Sequence, residues 1–184
     1  VSGAIIEDNI QFDNVESTAI HWYYDINGFP QRFKYLDQRY KFPFGLEEFG
    51  QKVHPAWRGS HSATPTSFTD GVRHFLAMGH YVLGLGGYGL ANWDWKDMEE
   101  CIFPWGINFP GGTVPKPLLP AYRNMSLLFR LLQLKYTSPA VFFLIPLNHQ
   151  LGYKGNIIHE AVLRGIRFLI DAQVEFGVID EYNL

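Results

Sequence analysis

The chain has 184 residues, which corresponds to one domain and part of another at about 150 residues per domain. Hydrophobic residues make up 47% of it, so it can bury a core, and a disordered chain is excluded. The formal net charge of −3 argues against a nucleic-acid-binding surface, because such surfaces carry an excess of basic residues. The 16% of aromatic residues fits either a site that stacks on sugars or a large core, and composition alone favours the core.

Cysteine, hydropathy and histidine patterns exclude further classes. Cys101 is the only cysteine, which excludes an internal disulfide and a zinc site with several cysteines. No apolar stretch reaches roughly 18 residues, so no transmembrane helix and no membrane partner are predicted. The histidines show no HExxH or other paired-ligand spacing, so no metal is predicted. The chain begins at Val1 without a signal-peptide pattern, so either its start was removed or it is a piece of a longer chain.

The first part of the chain alternates between strand and helix patterns. Residues 17–24 are rich in β-branched and aromatic side chains, which predicts a buried strand. Residues 30–40 are predicted as a loop or a short helix, and residues 41–50 as a second strand. A helix with Thr69 as its N-cap follows, and the glycine-rich residues 81–95 are predicted as a third strand. Strand, helix and strand at this spacing are typical of a parallel sheet.

The remainder of the chain shows the same alternation. A proline-rich loop is predicted in residues 103–120 and a leucine-rich helix in residues 121–136. A continuous apolar strand follows in residues 140–146, a second helix in residues 155–172 and the start of another strand in residues 176–180. The composition changes near residues 137–139, where we place a domain boundary.

Polar and aromatic side chains follow the three strands predicted in the first part of the chain, at the point where each strand ends. In a parallel barrel this end of the strands forms the catalytic face. In a regularly alternating strand Glu47 and Glu48 face opposite ways, so only one of them can point into a barrel mouth. The side chains at these ends are His21, Trp22, Glu47, Glu48, Trp93 and Asp94.

Each of these side chains also has an ordinary structural explanation. A strand-end carboxylate such as Glu48 can simply be solvated, and a histidine such as His21 is more often a hydrogen-bonded core or rim residue. Trp93 can equally belong to the core, and Asp94 and Asp97 can be solvated acids or acids at a helix start. Spacing alone leaves these alternatives open.

The three strand ends resemble clan A glycoside hydrolases. The sequence FGLEEFG at residues 44–50 resembles the seventh-strand motif, in which a Glu before Phe-Gly is the nucleophile. IHWY at residues 20–23 resembles the sixth strand, where His-x-Tyr-type residues line the site and support that Glu. LANWDWKD at residues 90–97 is similar to the eighth strand, where a Trp floors the subsite for the non-reducing sugar. The order and spacing of the three motifs match as well.

The resemblance implies an α/β fold, namely the C-terminal portion of a (β/α)8 TIM barrel in residues 1–137, followed by the start of a Rossmann/flavodoxin-like domain in residues 138–184. Within the clan the chain is most similar to family 42 β-galactosidases, because of the domain order and the pattern after residue 138. The second domain of that family is associated with trimer formation. A homo-oligomer, and specifically a trimer, is therefore implied.

The implied activity is retaining hydrolysis of a β-linked sugar, most similar to a β-galactoside, with a carbohydrate substrate and no cofactor. Glu48 would be the catalytic nucleophile. Trp57 and Arg58 lie in the loop after the nucleophile strand and could reach the substrate. The expected substrate-binding residues are His21, Trp22, Trp57, Arg58, Trp93 and Asp94.

One part of the family pattern is missing. Retaining glycosidases use two carboxyl groups about 5–5.5 Å apart, and in this clan the acid is a Glu after an Asn, yet no Asn-Glu pair occurs in the sequence. A closed barrel alone takes about 250 residues. We therefore expect a fragment of a longer enzyme, with the N-terminal part of the same protein as its partner. The alternatives are a catalytically incomplete carbohydrate-binding module or an oligomerisation module.

Overall fold

A computed structural model of the chain describes residues 18–39, 44–50, 67–98, 105–132 and 139–182. These residues form an α/β fold with two sheets, and every strand pair within the sheets is parallel. In chain order the strands and helices are β1 (Thr18–Trp22), α1 (Phe29–Arg39), β2 (Phe44–Phe49), α2 (Phe68–Gly84), β3 (Leu90–Asn92), α3 (Leu118–Leu132), β4 (Phe142–Ile145), α4 (Leu147–Gln150), α5 (Gly155–Asp171) and β5 (Gly177–Asp180). None of the described helices is long and apolar enough to cross a membrane.

The first sheet has the order β1-β2-β3, and helices α1, α2 and α3 pack against it. Large aromatic side chains dominate this core, and each contributes roughly 1.5–3 kcal/mol when fully buried. The buried residues that the sheet and the helices share are Trp22, Phe29, Phe33, Phe44, Leu46, Phe49, Phe75, Met78, Val82, Ala121 and Met125. The apolar residues that predicted the first strands are therefore those buried between the sheet and its helices.

The structure decides the first helix and corrects the predicted start of the second. Residues 30–39 lie in the three-turn helix α1, so of the two alternatives predicted for this segment, a loop or a short helix, the structure shows a helix. Helix α2 begins one residue after Ser67, whose Oγ accepts a hydrogen bond from the Asp70 backbone N–H at 3.1 Å. Ser67 is thus the N-cap instead of Thr69, because its hydroxyl satisfies a free N–H of the first turn.

The predicted third strand is much shorter than expected. Helix α2 continues to Gly84, so the first residues of the glycine-rich segment 81–95 are helical. The helix ends where Gly86 adopts a φ of 104° and the Gly87 N–H bonds to the carbonyl oxygen of Val82 at 2.7 Å. Only Leu90–Asn92 pair as β3. The glycines therefore mark the end of a helix, and not an extended strand.

The second sheet pairs β4 with β5, and helix α5 packs on it. This unit also contacts helix α1, since Tyr35 lies in the same buried cluster as Ile145 and Ile166. The Arg167 guanidinium adds a hydrogen bond to the backbone oxygen of Asn27 at 2.9 Å. The arrangement is compatible with the start of a Rossmann/flavodoxin-like domain. That assignment and the boundary at residues 137–139 stay predictions.

His74 on α2 gives the fold a defined response to acid. Its ring lies 6.5 Å from that of Phe49, and burial lowers the pKa of His74 from 6.5 to about 4, with the charge of Asp25 opposing the shift. Because the pKa is lower in the folded state, the stability linked to His74 is complete above about pH 6.5 and is lost as the pH falls toward 4. We expect this contribution to the free energy of unfolding to decrease by up to about 3 kcal/mol over that range.

The measurement is urea unfolding between pH 4 and pH 7 of the wild type and of a His74→Phe variant, which keeps a ring against Phe49. Other groups titrate in both proteins, so the difference between the two curves isolates His74. We expect the wild type to lose more stability than the variant as the pH falls. Parallel curves would contradict the assignment.

Candidate active site

Parallel pairing brings the predicted strand ends together. The register of β1 and β2 places His21 opposite Glu48 and Trp22 opposite Phe49. On the other side of β2, Asn92 lies opposite Phe49. The carboxyl ends of the three strands therefore meet at one edge of the sheet, which is where parallel α/β folds place their sites.

The carboxylate of Glu48 lies at the centre of this edge. Its side chain is 24% exposed, so it is shielded from bulk water but open to a ligand. The hydroxyl of Tyr23 donates a hydrogen bond to Glu48 Oε1 at 2.5 Å, and His21 Nδ1 lies 3.5 Å from Oε2. The first contact is a short hydrogen bond, whereas the second is within ion-pair distance only. Together they hold the carboxylate from two sides.

Tyr23 keeps its proton for this contact. Its pKa is raised above the ordinary value, first by burial, then by its hydrogen bond to Glu48, and further by the charges of Glu48 and Asp94. A phenol with a raised pKa stays a donor throughout the pH range in which proteins are folded. Tyr23 belongs to the IHWY motif, but its direct bond to Glu48 could not be assigned without the register of β1 and β2.

Trp105 is a further residue of the site, and sequence reasoning missed it. Its ring lies 5.0 Å from that of Tyr23 in an edge-to-face arrangement, and its backbone oxygen accepts a hydrogen bond from Asn92 Nδ2 at 3.2 Å. Gly50 makes room for it, because a Cβ there would lie 3.3 Å from Trp105 Cε3 and 2.7 Å from the Trp93 oxygen. Trp105 lies in the proline-rich loop, far along the chain from its partners, so no local pattern pointed to it.

A fully buried ion pair anchors the loop that carries Trp105. Lys116 Nζ lies 2.6 Å from Asp97 Oδ1, and both side chains are inaccessible to solvent. The same oxygen of Asp97 accepts a hydrogen bond from the backbone N–H of Gly106 at 2.9 Å. The sequence suggested that Asp97 is a solvated acid or an acid at a helix start, and the structure shows that it is neither. Asp97 ties Gly106, the residue next to Trp105, to the segment that follows β3.

Trp93 and Asp94 follow β3 directly and are joined by a cis peptide bond. The backbone N–H of Trp93 bonds to the Phe49 oxygen at 2.7 Å, while its side chain is 45% exposed. Asp94 Oδ1 is buried and has no hydrogen-bond partner within the described part of the chain. Burial, and secondly the charge of Asp97, raise the pKa of Asp94. The strand end thus places an accessible indole beside a carboxyl group whose pKa is raised.

Trp22, one of the predicted substrate contacts, does not enter this arrangement. Trp22 is 7% exposed and belongs to the core, with its ring 5.7 Å from Phe29 and 5.9 Å from the Arg32 guanidinium carbon. A strand alternates its faces, so Trp22 points away from the side on which His21 is exposed. We leave Trp22 out of the proposed site. Trp57 and Arg58 lie outside the described residues.

No group of three or more His, Cys, Asp or Glu side chains within the described ranges is arranged to hold a metal ion. The polar groups that converge at the strand ends are instead carboxylates, a phenol and an imidazole, namely Glu47, Glu48, Asp94, Tyr23 and His21. Such groups suit nucleophilic and hydrogen-bonding chemistry.

No protein-family model and no curated protein matches the chain. Among solved structures, the exo-beta-1,4-mannosidase Op5Man5 from Opitutaceae bacterium strain TAV5 is 16% identical with a TM-score of 0.57, and the match covers 91% of this chain and 33% of that one. GH5_18 from Streptomyces cattleya, solved in complex with GlcNAc, is 14% identical with a TM-score of 0.54, covering 84% and 39%.

The chain therefore spans between a third and two fifths of the length of these relatives. At such identities the likeness shows the fold alone. It confirms the expected fold class, an α/β arrangement with parallel strands that corresponds to part of a (β/α)8 barrel. The likeness agrees with the fold of clan A, but neither relative supports family 42 specifically.

Proposed function

We propose that the chain is the nucleophile-bearing part of a retaining glycoside hydrolase that cleaves β-linked sugars, with Glu48 as the nucleophile. The observation that carries this proposal is the geometry of Glu48 at the carboxyl end of β2. Its partly exposed carboxylate is held by the Tyr23 hydroxyl at 2.5 Å and faces His21 at 3.5 Å. A carboxylate that is oriented yet accessible suits attack on a bound ligand.

In the proposed reaction a carboxylate oxygen of Glu48 attacks the anomeric carbon of the sugar. The new carbon–oxygen bond forms as the bond to the leaving oxygen breaks, and a general acid gives that oxygen its proton. Water then attacks the same carbon, gives its proton to the former acid, and releases Glu48 as a carboxylate. We propose that the N-terminal part of the same protein supplies the acid.

The neighbouring side chains have distinct proposed roles. Tyr23 fixes the rotamer of Glu48 and His21 faces its second oxygen. Trp93 offers its exposed indole as a platform for the apolar face of a pyranose ring. Asp94, a partly exposed carboxylate next to Trp93, is the proposed acceptor for a sugar hydroxyl.

The identity of the sugar is the finer part of the proposal. The sequence resemblance to family 42 favours a β-galactoside. One structural relative is described as an exo-beta-1,4-mannosidase, and the other was solved with GlcNAc. A β-galactoside and a β-mannoside are therefore the first two substrates to compare, and assembly into a homo-oligomer stays a prediction.

The test is covalent trapping with 2,4-dinitrophenyl 2-deoxy-2-fluoro-β-galactoside and the corresponding mannoside. Dinitrophenolate leaves without being protonated, so trapping does not depend on a general acid. The purified chain of 184 residues and the longest polypeptide from the same reading frame are incubated with each reagent, and labelled peptides are mapped by mass spectrometry. We expect one sugar adduct, on Glu48.

The controls are Glu48→Gln, which should remove the label, and Glu160→Gln, an exposed glutamate on α5 near Arg32, which should keep it. A label on another carboxylate would contradict the role of Glu48. Sugar binding without any label, in both polypeptides, would instead support the carbohydrate-binding module considered from the sequence.

Trp93→Ala is expected to lower kcat/KM of the complete enzyme about tenfold, through the lost ring contact with the sugar. Because the indole is 45% exposed, the midpoint of thermal unfolding should stay close to that of the wild type. The matched control is Trp95→Ala, since Trp95 is 58% exposed and has no proposed contact with substrate. Loss of the cooperative unfolding transition in Trp93→Ala would show a core residue instead.

A further inference from the structure

The pairing of β1 with β2 contains an irregularity at the proposed site. Ile20 is opposite Leu46, but the next residue, His21, is opposite Glu48. Glu47 therefore has no counterpart on β1, which is the defining feature of a β-bulge. Bulges next to active sites re-aim side chains, and this one lies directly before the proposed nucleophile.

The bulge corrects the expectation that the two glutamates face opposite ways. Glu48 Oε2 lies 3.5 Å from Nδ1 of His21, and Glu47 Oε2 lies 3.8 Å from Nε2 of the same ring. Both distances are within ion-pair range and longer than a hydrogen bond. A regular strand would have sent one carboxylate to the other face of the sheet. Here both reach one imidazole, one at each ring nitrogen.

This arrangement restrains the His21 ring in a way that Glu48 alone would not. The ring is 54% exposed, so packing does not fix its orientation. An imidazole that donates to an acceptor at one nitrogen can still rotate about its Cβ–Cγ bond, whereas an imidazolium, which carries an N–H on each nitrogen, is favoured in a single orientation by carboxylates at both. Glu47 is 69% exposed and can therefore be replaced without opening a cavity.

We infer that Glu47 is a positioning residue, which holds the His21 imidazole in the orientation that faces Glu48. The inference rests on the proposed function of Glu48 as the nucleophile. It extends that function, because it assigns a role to the residue before the nucleophile, which reaches the reacting group only through His21.

The first measurement is ¹⁵N–¹H correlation NMR of histidine rings in the chain labelled with ¹⁵N-histidine. We expect Glu47→Gln to shift both ring-nitrogen resonances of His21 and to leave those of His80, on the exposed side of α2, unchanged. Glu160→Gln serves as the control, because Glu160 is also an exposed glutamate but lies on α5 beside Arg32. Unchanged His21 resonances in Glu47→Gln would overturn the inference.

The second measurement is a double-mutant cycle on the complete active protein. We expect Glu47→Gln to lower kcat about tenfold with KM unchanged, and to lower it no further in a His21→Ala background. Glu47→Asp should restore part of the loss. Equal effects of Glu47→Gln in both backgrounds would overturn the inference.

If trapping leaves Glu48 unlabelled, the proposed function fails, whereas the NMR result still decides whether Glu47 orients His21.

Discussion

Replacement of Glu48 by Gln is expected to lower kcat/KM of the complete enzyme by about four orders of magnitude or more. An amide cannot act as the nucleophile, so no glycosyl-enzyme ester can form. The amide oxygen can still accept the hydrogen bond from Tyr23, because Gln matches Glu in shape. The fold should therefore be retained, with a thermal midpoint close to that of the wild type.

The measurement is hydrolysis of aryl β-glycosides by the wild type and the variant at equal folded concentration. Glu160→Gln removes a carboxylate that lies 3.7 Å from Arg32, away from the sheet edge, and should keep full activity. Activity of Glu48→Gln within about tenfold of the wild type would remove Glu48 as nucleophile, since nucleophile variants lose far more. A variant that fails to unfold cooperatively would point to a structural role for Glu48.

The second large effect concerns the buried pair between Asp97 and Lys116. Lys116→Met leaves the Asp97 carboxylate without its partner in a site with no solvent access. Breaking a buried pair on one side costs about 3–5 kcal/mol of the free energy of unfolding. For a chain of this size we expect the thermal midpoint to fall by about 10 °C. The loop with Gly106 and Trp105 depends on the same carboxylate.

The diagnostic comparison is the double variant Asp97→Asn/Lys116→Met. It removes both buried charges and keeps an amide oxygen for the Gly106 N–H, so we expect it to recover a large part of the lost stability. Arg73→Met, at the exposed contact with Asp70, should leave the midpoint unchanged. The single variants Lys116→Met and Asp97→Asn are measured beside it. If the double variant loses as much stability as the two single variants lose when added together, the charges do not interact and the explanation is contradicted.

Much of the framework was predictable because it depends on local patterns. β1 and β2 were predicted from runs of apolar and β-branched residues, and α3 and α5 from apolar side chains at helical spacing. These patterns report which side chains are buried, and burial is the dominant favourable contribution to folding. The glycines of residues 81–95 misled because a glycine permits both a helix end and an extended strand.

The sequence by itself determined which chemistry the chain can offer, since FGLEEFG supplies carboxylates and IHWY supplies a histidine and a tyrosine at predicted strand ends. Only the tertiary structure decided how these groups meet. The bulge that turns Glu47 toward His21 depends on the pairing of two separate strands, and strand pairing is not encoded by alternation within either one. Trp105 and the Asp97–Lys116 pair lie in loops, and contacts between loops distant along the chain form only once the core has packed.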